Sequence, residues 1–308
     1  MQRRDAREGA QKSRVFVTGG TGFVGAHVVR ALSVAGYGVT VLARDLRRAA
    51  GVCALPGVVA IEGGLEDPAP WHTALVDHAA CIHLALLWSD DPADDLLLAD
   101  LRASVQLLGR AADAGVEHFV YTSSTAVHRP WSAAMDARSP VGGVDFYGAT
   151  KASGEAYLSA VCHQGSMRGN VIRPGAVVGG PGVVGAPVRI DRRVGAMIAA
   201  ARRGETLRVV RGAGRQWIGA ESLAGLYVAL LEYTGNHGRF VAVAPEVIPW
   251  TEVAEAVVAH VGTGRVETVE GEAPASPVFD TGETERVLGP IASARPALHA
   301  ALRALCAG

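Results

Sequence analysis

The chain has 308 residues, 49% of them hydrophobic and 19% charged, which excludes a disordered or collagen-like polymer and suffices for one large or two modest domains. Its 29 basic and 30 acidic side chains leave a formal net charge of −1, so overall charge offers no attraction for nucleic acid. Cys53, Cys81, Cys162 and Cys306 show no metal or disulfide spacing, which points to a reduced, cytoplasmic protein, and no apolar run reaches the length of a membrane span. Glycine is in surplus, with 38 residues, and the surplus asks for an explanation.

In chain order, residues 1–13 are polar and read as a poorly ordered tail, not a signal peptide. Val15-Phe16-Val17 is a short apolar strand ending in glycines, followed by a helix over 24–35 that Gly36-Tyr37-Gly38 stops. Strands are expected at 39–42, 58–61 and 81–87, then a long leucine-rich helix over 95–114 with Gly115 at its end. A strand at 116–122, a helix at 147–163 and a strand at 170–172 follow. Beyond Pro174 come a Gly/Pro/Val loop (179–185), a basic helical segment (189–203), helices at 222–234 and 250–261, and a strand at 239–244. The stretch 262–285 reads as irregular and acidic.

Strands apolar on both faces, alternating with amphipathic helices, imply an α/β fold with a parallel sheet covered on both sides. Right-handed crossovers then give a Rossmann-type doubly wound sheet. The expected division is a dinucleotide-binding domain over 14–179 and 216–244, with a small, discontinuous C-terminal substrate-binding lobe over 180–215 and 245–308.

Gly20, Gly22 and Gly25 satisfy G-x-G-x-x-G, and Gly19, Gly22 and Gly25 give G-x-x-G-x-x-G, between the first strand and first helix. Such a turn lets backbone approach a pyrophosphate and aims helix N–H groups at it. The second strand ends Ala43-Arg44-Asp45. A carboxylate there would bind a ribose 2′-hydroxyl and an arginine a 2′-phosphate, so Arg44 favours NADP(H), with NAD(H) open through Asp45.

Tyr147 and Lys151 stand at i and i+4 on one helix face, where an ammonium would lower the phenol's pKa and suit it to acid/base work. Upstream, a strand runs into Thr122-Ser123-Ser124-Thr125, placing hydroxyls at the ligand end of a parallel sheet.

Taken with Ile82-His83-Leu84-Ala85, Ile172-Arg173-Pro174-Gly175 and Gly214-Arg215-Gln216-Trp217-Ile218, these segments resemble the extended short-chain dehydrogenase/reductases of the NAD(P)-dependent epimerase/dehydratase and dihydroflavonol-reductase type. The resemblance implies a hydride-transfer enzyme with Tyr147 as general acid/base, Lys151 binding the nicotinamide ribose and lowering the Tyr147 pKa, and Ser124 polarising the substrate oxygen. It places the cofactor against Gly19, Gly22, Phe23, Val24, Gly25, Arg44, Gly64, Leu65, Leu84, Ala85, Thr122, Tyr147, Lys151 and Pro174, and the substrate against Ser124, Thr125 and Arg215. It also implies a homodimer formed through the 95–114 and Tyr-Lys helices.

Departures narrow the choice. Asp100 stands where such proteins often carry Asn, and Thr125-Ala126-Val127 provides no carboxylic acid for a dehydratase. The stretch after Arg173-Pro174 lacks the Asn and Tyr of epimerases, whereas Arg215 matches their phosphate-gripping arginine. Gly64 replaces the adenine-contacting Asp.

The readings left are an NADP(H)-dependent oxidoreductase on a ketone or alcohol, a nucleotide-sugar epimerase with tightly held NAD, and a non-catalytic NADP sensor, which has no need of an acid/base pair. His27, His72, His78, His83, His118 and His128 show no metal spacing and are expected at the surface or at sheet edges, with no metal. Trp88, Trp131 and Trp217 are placed in a pocket wall or in packing, and Arg189, Arg192, Arg193, Arg202 and Arg203 on a solvated helix face or against an anionic substrate.

Overall fold

The computed structural model describes residues 12–87, 96–272 and 277–306. Trp88, Asp95 and residues 1–11 of the expected tail lie outside the described residues.

The chain runs β1 (Lys12–Thr18), α1 (Phe23–Val34), β2 (Tyr37–Ala43), α2 (Leu46–Cys53), β3 (Val58–Glu62), β4 (Ala80–His83), α3 (Leu96–Asp113), β5 (His118–Thr122), β6 (Ala134–Met135), α4 (Phe146–Gln164), β7 (Arg168–Pro174) and β8 (Ala176–Val178). It continues as α5 (Arg192–Arg202), β9 (Thr206–Val210), β10 (Gly214–Gly219), α6 (Ala220–Glu232), β11 (Arg239–Ala242), β12 (Val247–Pro249), α7 (Trp250–Val261), β13 (Arg265–Val269), β14 (Val278–Phe279), α8 (Gly282–Leu288) and α9 (Arg295–Cys306).

Seven strands form one sheet in the order β11-β7-β5-β4-β1-β2-β3, every pairing parallel. The winding reverses at β1, which lies between β2 and β4, so the ligand crevice of this fold class opens at the carboxyl ends of β1 and β4. Period-two alternation in β1 feeds both faces. Val15 and Val17 join Val28, Val29 and Leu32 of α1 in one core, while Phe16 joins Leu107 and Leu108 of α3 and Leu158 of α4 in the other. Every residue of β2 is buried, as expected for a strand covered on both sides. Among the described residues, no helix is long and apolar enough to cross a membrane.

Smaller sheets join segments distant in sequence: β12-β10-β8, β13 with β9, and β14 with β6. Some of these correct the sequence reading. Among its described residues, the stretch 262–285 is not irregular throughout, because it holds β13, β14 and the start of α8. β13 is mostly exposed and polar, and its register is set by β9 (Arg265 beside Thr206), so it carries no apolar signature of its own. The strand β1 begins at Lys12, inside the segment expected to be a tail. A second early helix, α2, was unforeseen; Asp45 caps it by accepting the Arg47 backbone N–H at 2.9 Å.

Candidate active site

The glycine turn after β1 is dictated by contact. Gly19 has φ +72°, and a Cβ there would come within 2.6 Å of the Ala85 backbone nitrogen. The turns after β1 and β4 therefore touch at the winding reversal. A Cβ on Gly25 would collide with the Gly19 carbonyl oxygen and reach 2.7 Å from Gly20 Cα. Gly22 begins α1 without a side-chain cap, which leaves the first-turn N–H groups, Phe23 and Val24 among them, for an anion. Leu84 donates its N–H to the Thr18 carbonyl at 3.1 Å, and Ala85 donates to Thr18 Oγ1 at 3.3 Å, which fixes the opposite wall. This bare helix terminus and close-packed cradle fit a dinucleotide pyrophosphate.

At the end of β2, Arg44 is exposed. Asp45 is engaged: besides capping α2 it pairs with the Arg47 guanidinium at 3.0 and 3.1 Å. Beside Gly64, the space a side chain would take is filled by the Glu66 carboxylate, a group the sequence reading missed because it stands two residues away. Leu65 is buried beneath it in the core.

The adjacent serines after β5 separate by role. Ser123 Oγ donates to Glu155 Oε1 inside the protein at 2.5 Å, whereas Ser124 lines a cavity together with Tyr147. Ser124 also caps the short turn Thr125–His128 by accepting the Ala126 N–H at 3.1 Å, which locks its position. Tyr147 lies in the first turn of α4, whose cap Asp145 accepts the Gly148 N–H at 2.7 Å. Thr122 Oγ1 and the Tyr227 hydroxyl are 2.7 Å apart, and Pro174 closes β7 just before cavity-lining Gly175.

Burial pushes the Tyr147 phenol up; the neighbouring Ser124 hydroxyl and the Arg129 charge oppose it, while Asp100 and Asp145 reinforce it. One turn on, Lys151 is wholly buried with Nζ 5.3 Å from the Tyr121 ring centroid, and burial lowers its own pKa against the pull of Asp100. Asp100 is buried too: Oδ1 accepts the Leu87 N–H at 2.8 Å, and Oδ2 has no partner among the described residues. The orphaned Tyr121 hydroxyl and Asp100 Oδ2 mark this as a polar interior awaiting partners, in keeping with a cofactor ribose beside Lys151.

The cavity of ≈330 Å³ contains Ser124, Thr125, Tyr147, Arg129, Arg189 and Arg215. It continues into a second space of ≈380 Å³ walled by Trp131, Trp250 and Phe279, with Thr125, Arg129 and Arg215 common to both. Arg215 Nη1 donates to Asp191 Oδ2 at 2.5 Å. Trp131 is therefore a wall, whereas Trp217 is core, fully buried and packed edge-on against Trp250. Arg189 reaches the cavity; Arg193 stacks on Trp250, Arg202 binds the Leu305 carbonyl and Arg203 pairs with Glu205. His27, His78, His83, His118 and His128 are buried and hydrogen-bonded, against the expectation of surface positions, because each satisfies a polar group inside the core. His72 is exposed.

Among known proteins, the chain is similar to a Synechocystis protein assigned as a dihydroflavonol 4-reductase, 38% identical over 114 residues, 36% of this chain and 32% of that one. It is also similar to the UDP-glucose 4-epimerase of Vibrio cholerae, 31% identical over 181 residues, 55% of this chain and 53% of that one. The chain thus spans about a third to a half of these relatives' length. The fold matches the UDP-Glc/GlcNAc 4-epimerase of Campylobacter jejuni with TM-score 0.80 at 17% identity, over 96% of this chain and 98% of that one. The UDP-glucuronic acid 4-epimerase of Bacillus cereus, solved with NAD, matches with TM-score 0.79 at 17% identity, over 95% and 98%. The model of the NAD dependent epimerase/dehydratase family matches residues 15–244, from the first strand of the glycine turn to the last strand of the large sheet. The chain belongs to the NAD-dependent epimerase/dehydratase family.

Proposed function

We propose that the protein is an NAD(P)-dependent oxidoreductase that moves a hydride between nicotinamide C4 and the carbon of a secondary alcohol or ketone. The observation that carries this reading is the convergence of Ser124 and Tyr147 on one cavity at the carboxyl end of the sheet. The nicotinamide, when bound, supplies or accepts the hydride. The side chains handle the proton. In reduction the Tyr147 hydroxyl gives its proton to the substrate oxygen, and in oxidation it takes one; Ser124 donates a hydrogen bond to that same oxygen. Lys151 holds the nicotinamide ribose and stabilises negative charge that develops near Tyr147.

The exposed Arg44 and the engagement of Asp45 with Arg47 support NADP(H) over NAD(H). Glu66, folded beside Gly64, supplies an acceptor for the adenine amino group. Residues 14–179 with 216–244 form the nucleotide-binding unit, and 180–215 with 245–308 the substrate lobe, in a cytoplasmic protein. Exposed Leu98 on α3 and Phe146 and Tyr157 on α4 support a homodimer across these helices.

A nucleotide-sugar epimerase that keeps its NAD is the second reading, favoured by Arg215 in the cavity and by the named epimerase relatives. Denaturing the purified protein and identifying the released nucleotide separates the two, together with absorbance at 340 nm during turnover. Retained NAD and isomerisation without net absorbance change would replace the oxidoreductase reading. NADPH consumption with a carbonyl compound supports it.

A further inference from the structure

The cavity holds more positive charge than proton and hydride transfer require. Arg129, Arg189 and Arg215 line it against one lining carboxylate, Asp191, which is taken by Arg215 at 2.5 Å. Arg129 stands out by its placement. It follows the short turn that Ser124 caps, so its backbone is tied to the same turn that positions the Ser124 hydroxyl. Its Nη1 donates to Asp145 Oδ2 at 2.5 Å, and its guanidinium carbon lies 4.7 Å from the centroid of the Trp131 ring. Asp145 also caps α4 two residues before Tyr147, so one carboxylate positions both the guanidinium and the helix turn that carries the phenol.

An arginine gripped through one nitrogen and supported on an indole face is oriented, yet keeps further donors of its planar fork for another acceptor. Its side chain is 37% exposed, and it lines both the space beside Tyr147 and the adjoining aromatic space. This is the arrangement that recognises a planar oxyanion beside the reacting carbon.

We propose that Arg129 is a substrate-specificity residue that binds a carboxylate carried by the substrate close to the carbon that exchanges hydride, making the substrate a hydroxy acid or keto acid. The assignment rests on the hydride-transfer reading for the word substrate, but the anion site can be tested without turnover.

The test is arginine footprinting of the full chain with phenylglyoxal, read residue by residue by peptide mass spectrometry, in the presence of D-glucuronate, D-glucose or inorganic phosphate. Glucuronate and glucose share a ring and differ by the carboxylate. The expected result is a several-fold slowing of Arg129 modification by glucuronate, none by glucose and a lesser effect of phosphate. Equal protection by glucose, protection of Arg129 by phosphate alone, protection of Arg215 in place of Arg129, or no protection by any of the three would each overturn the proposal. A positive footprint with no NADPH-dependent turnover would instead fault the oxidoreductase reading and leave the anion site standing.

Discussion

Arg173 and Glu155 meet fork to fork inside the protein, Nε to Oε1 at 2.8 Å and Nη2 to Oε2 at 2.5 Å, with side-chain exposures of 1% and 5%. Glu155 lies one helical turn beyond Lys151 on α4, and Arg173 near the end of β7, so the pair ties the helix that carries Tyr147 and Lys151 to the sheet. Ser123 completes the Glu155 end, and the Ala137 carbonyl and His128 Nε2 accept from Arg173 Nη1 at 2.8 and 3.0 Å. With its proton on Nδ1, His128 donates to the Pro140 carbonyl at 3.1 Å.

Removing one partner of such a pair leaves a buried charge without compensation. Glu155→Ala is expected to destabilise the protein by about 3–5 kcal/mol, with urea unfolding as the measurement. A loss below about 1 kcal/mol, the worth of a surface pair, would contradict the structural role.

The buried histidines predict acid sensitivity. Burial lowers the pKa of His27, His78 and His128, brings His118 to about 4 and brings His83 to about 3. Their folded values lie below the unfolded value of about 6.5, so the unfolded state binds more protons below that pH. Stability is therefore complete above pH 6.5 and falls as the pH drops towards 4; at pH 5 a histidine held neutral like His83 costs about 2 kcal/mol. Thermal unfolding at several pH values checks this, and a midpoint unchanged between pH 7 and 5 would oppose it.

The alternation of strands and helices was legible because the strands of the large sheet carry their own apolar signal. The glycine turn and the Tyr147–Lys151 spacing were legible because both are local. Partners made by folding were not. Glu66 enters the space beside Gly64, Asp145 joins Arg129 to α4, and Asp45 is engaged by Arg47, none of which a residue pattern announces. The same holds for β13, whose strand character comes from β9, 59 residues upstream at its register partner.

The glycine turn gives a sharp steric prediction. A side chain on Gly25 meets the Gly19 carbonyl, so Gly25→Val should weaken nucleotide binding by about tenfold or more, or roughly 1.4 kcal/mol. Cofactor titration by fluorescence measures it, with circular dichroism confirming the fold. Unaltered affinity would remove this turn from the cofactor site.

The proposed preference for NADP(H) is tested at Arg44. Replacement by Asp is expected to lower the affinity for NADP relative to NAD by about tenfold, read as the ratio of the two dissociation constants. An unchanged ratio would take Arg44 out of the discrimination.

Tyr147 is proposed to handle the proton and to contribute little of the cofactor affinity. The most direct measurement is the rate of NADPH oxidation at 340 nm by wild-type protein and by Tyr147→Phe, over a panel of ketones, keto acids and nucleotide sugars, alongside cofactor affinity. Turnover by the wild type, a fall of about 10²–10⁴-fold in the variant and nearly equal NADPH affinity in both are expected. Wild-type turnover by Tyr147→Phe would contradict that role.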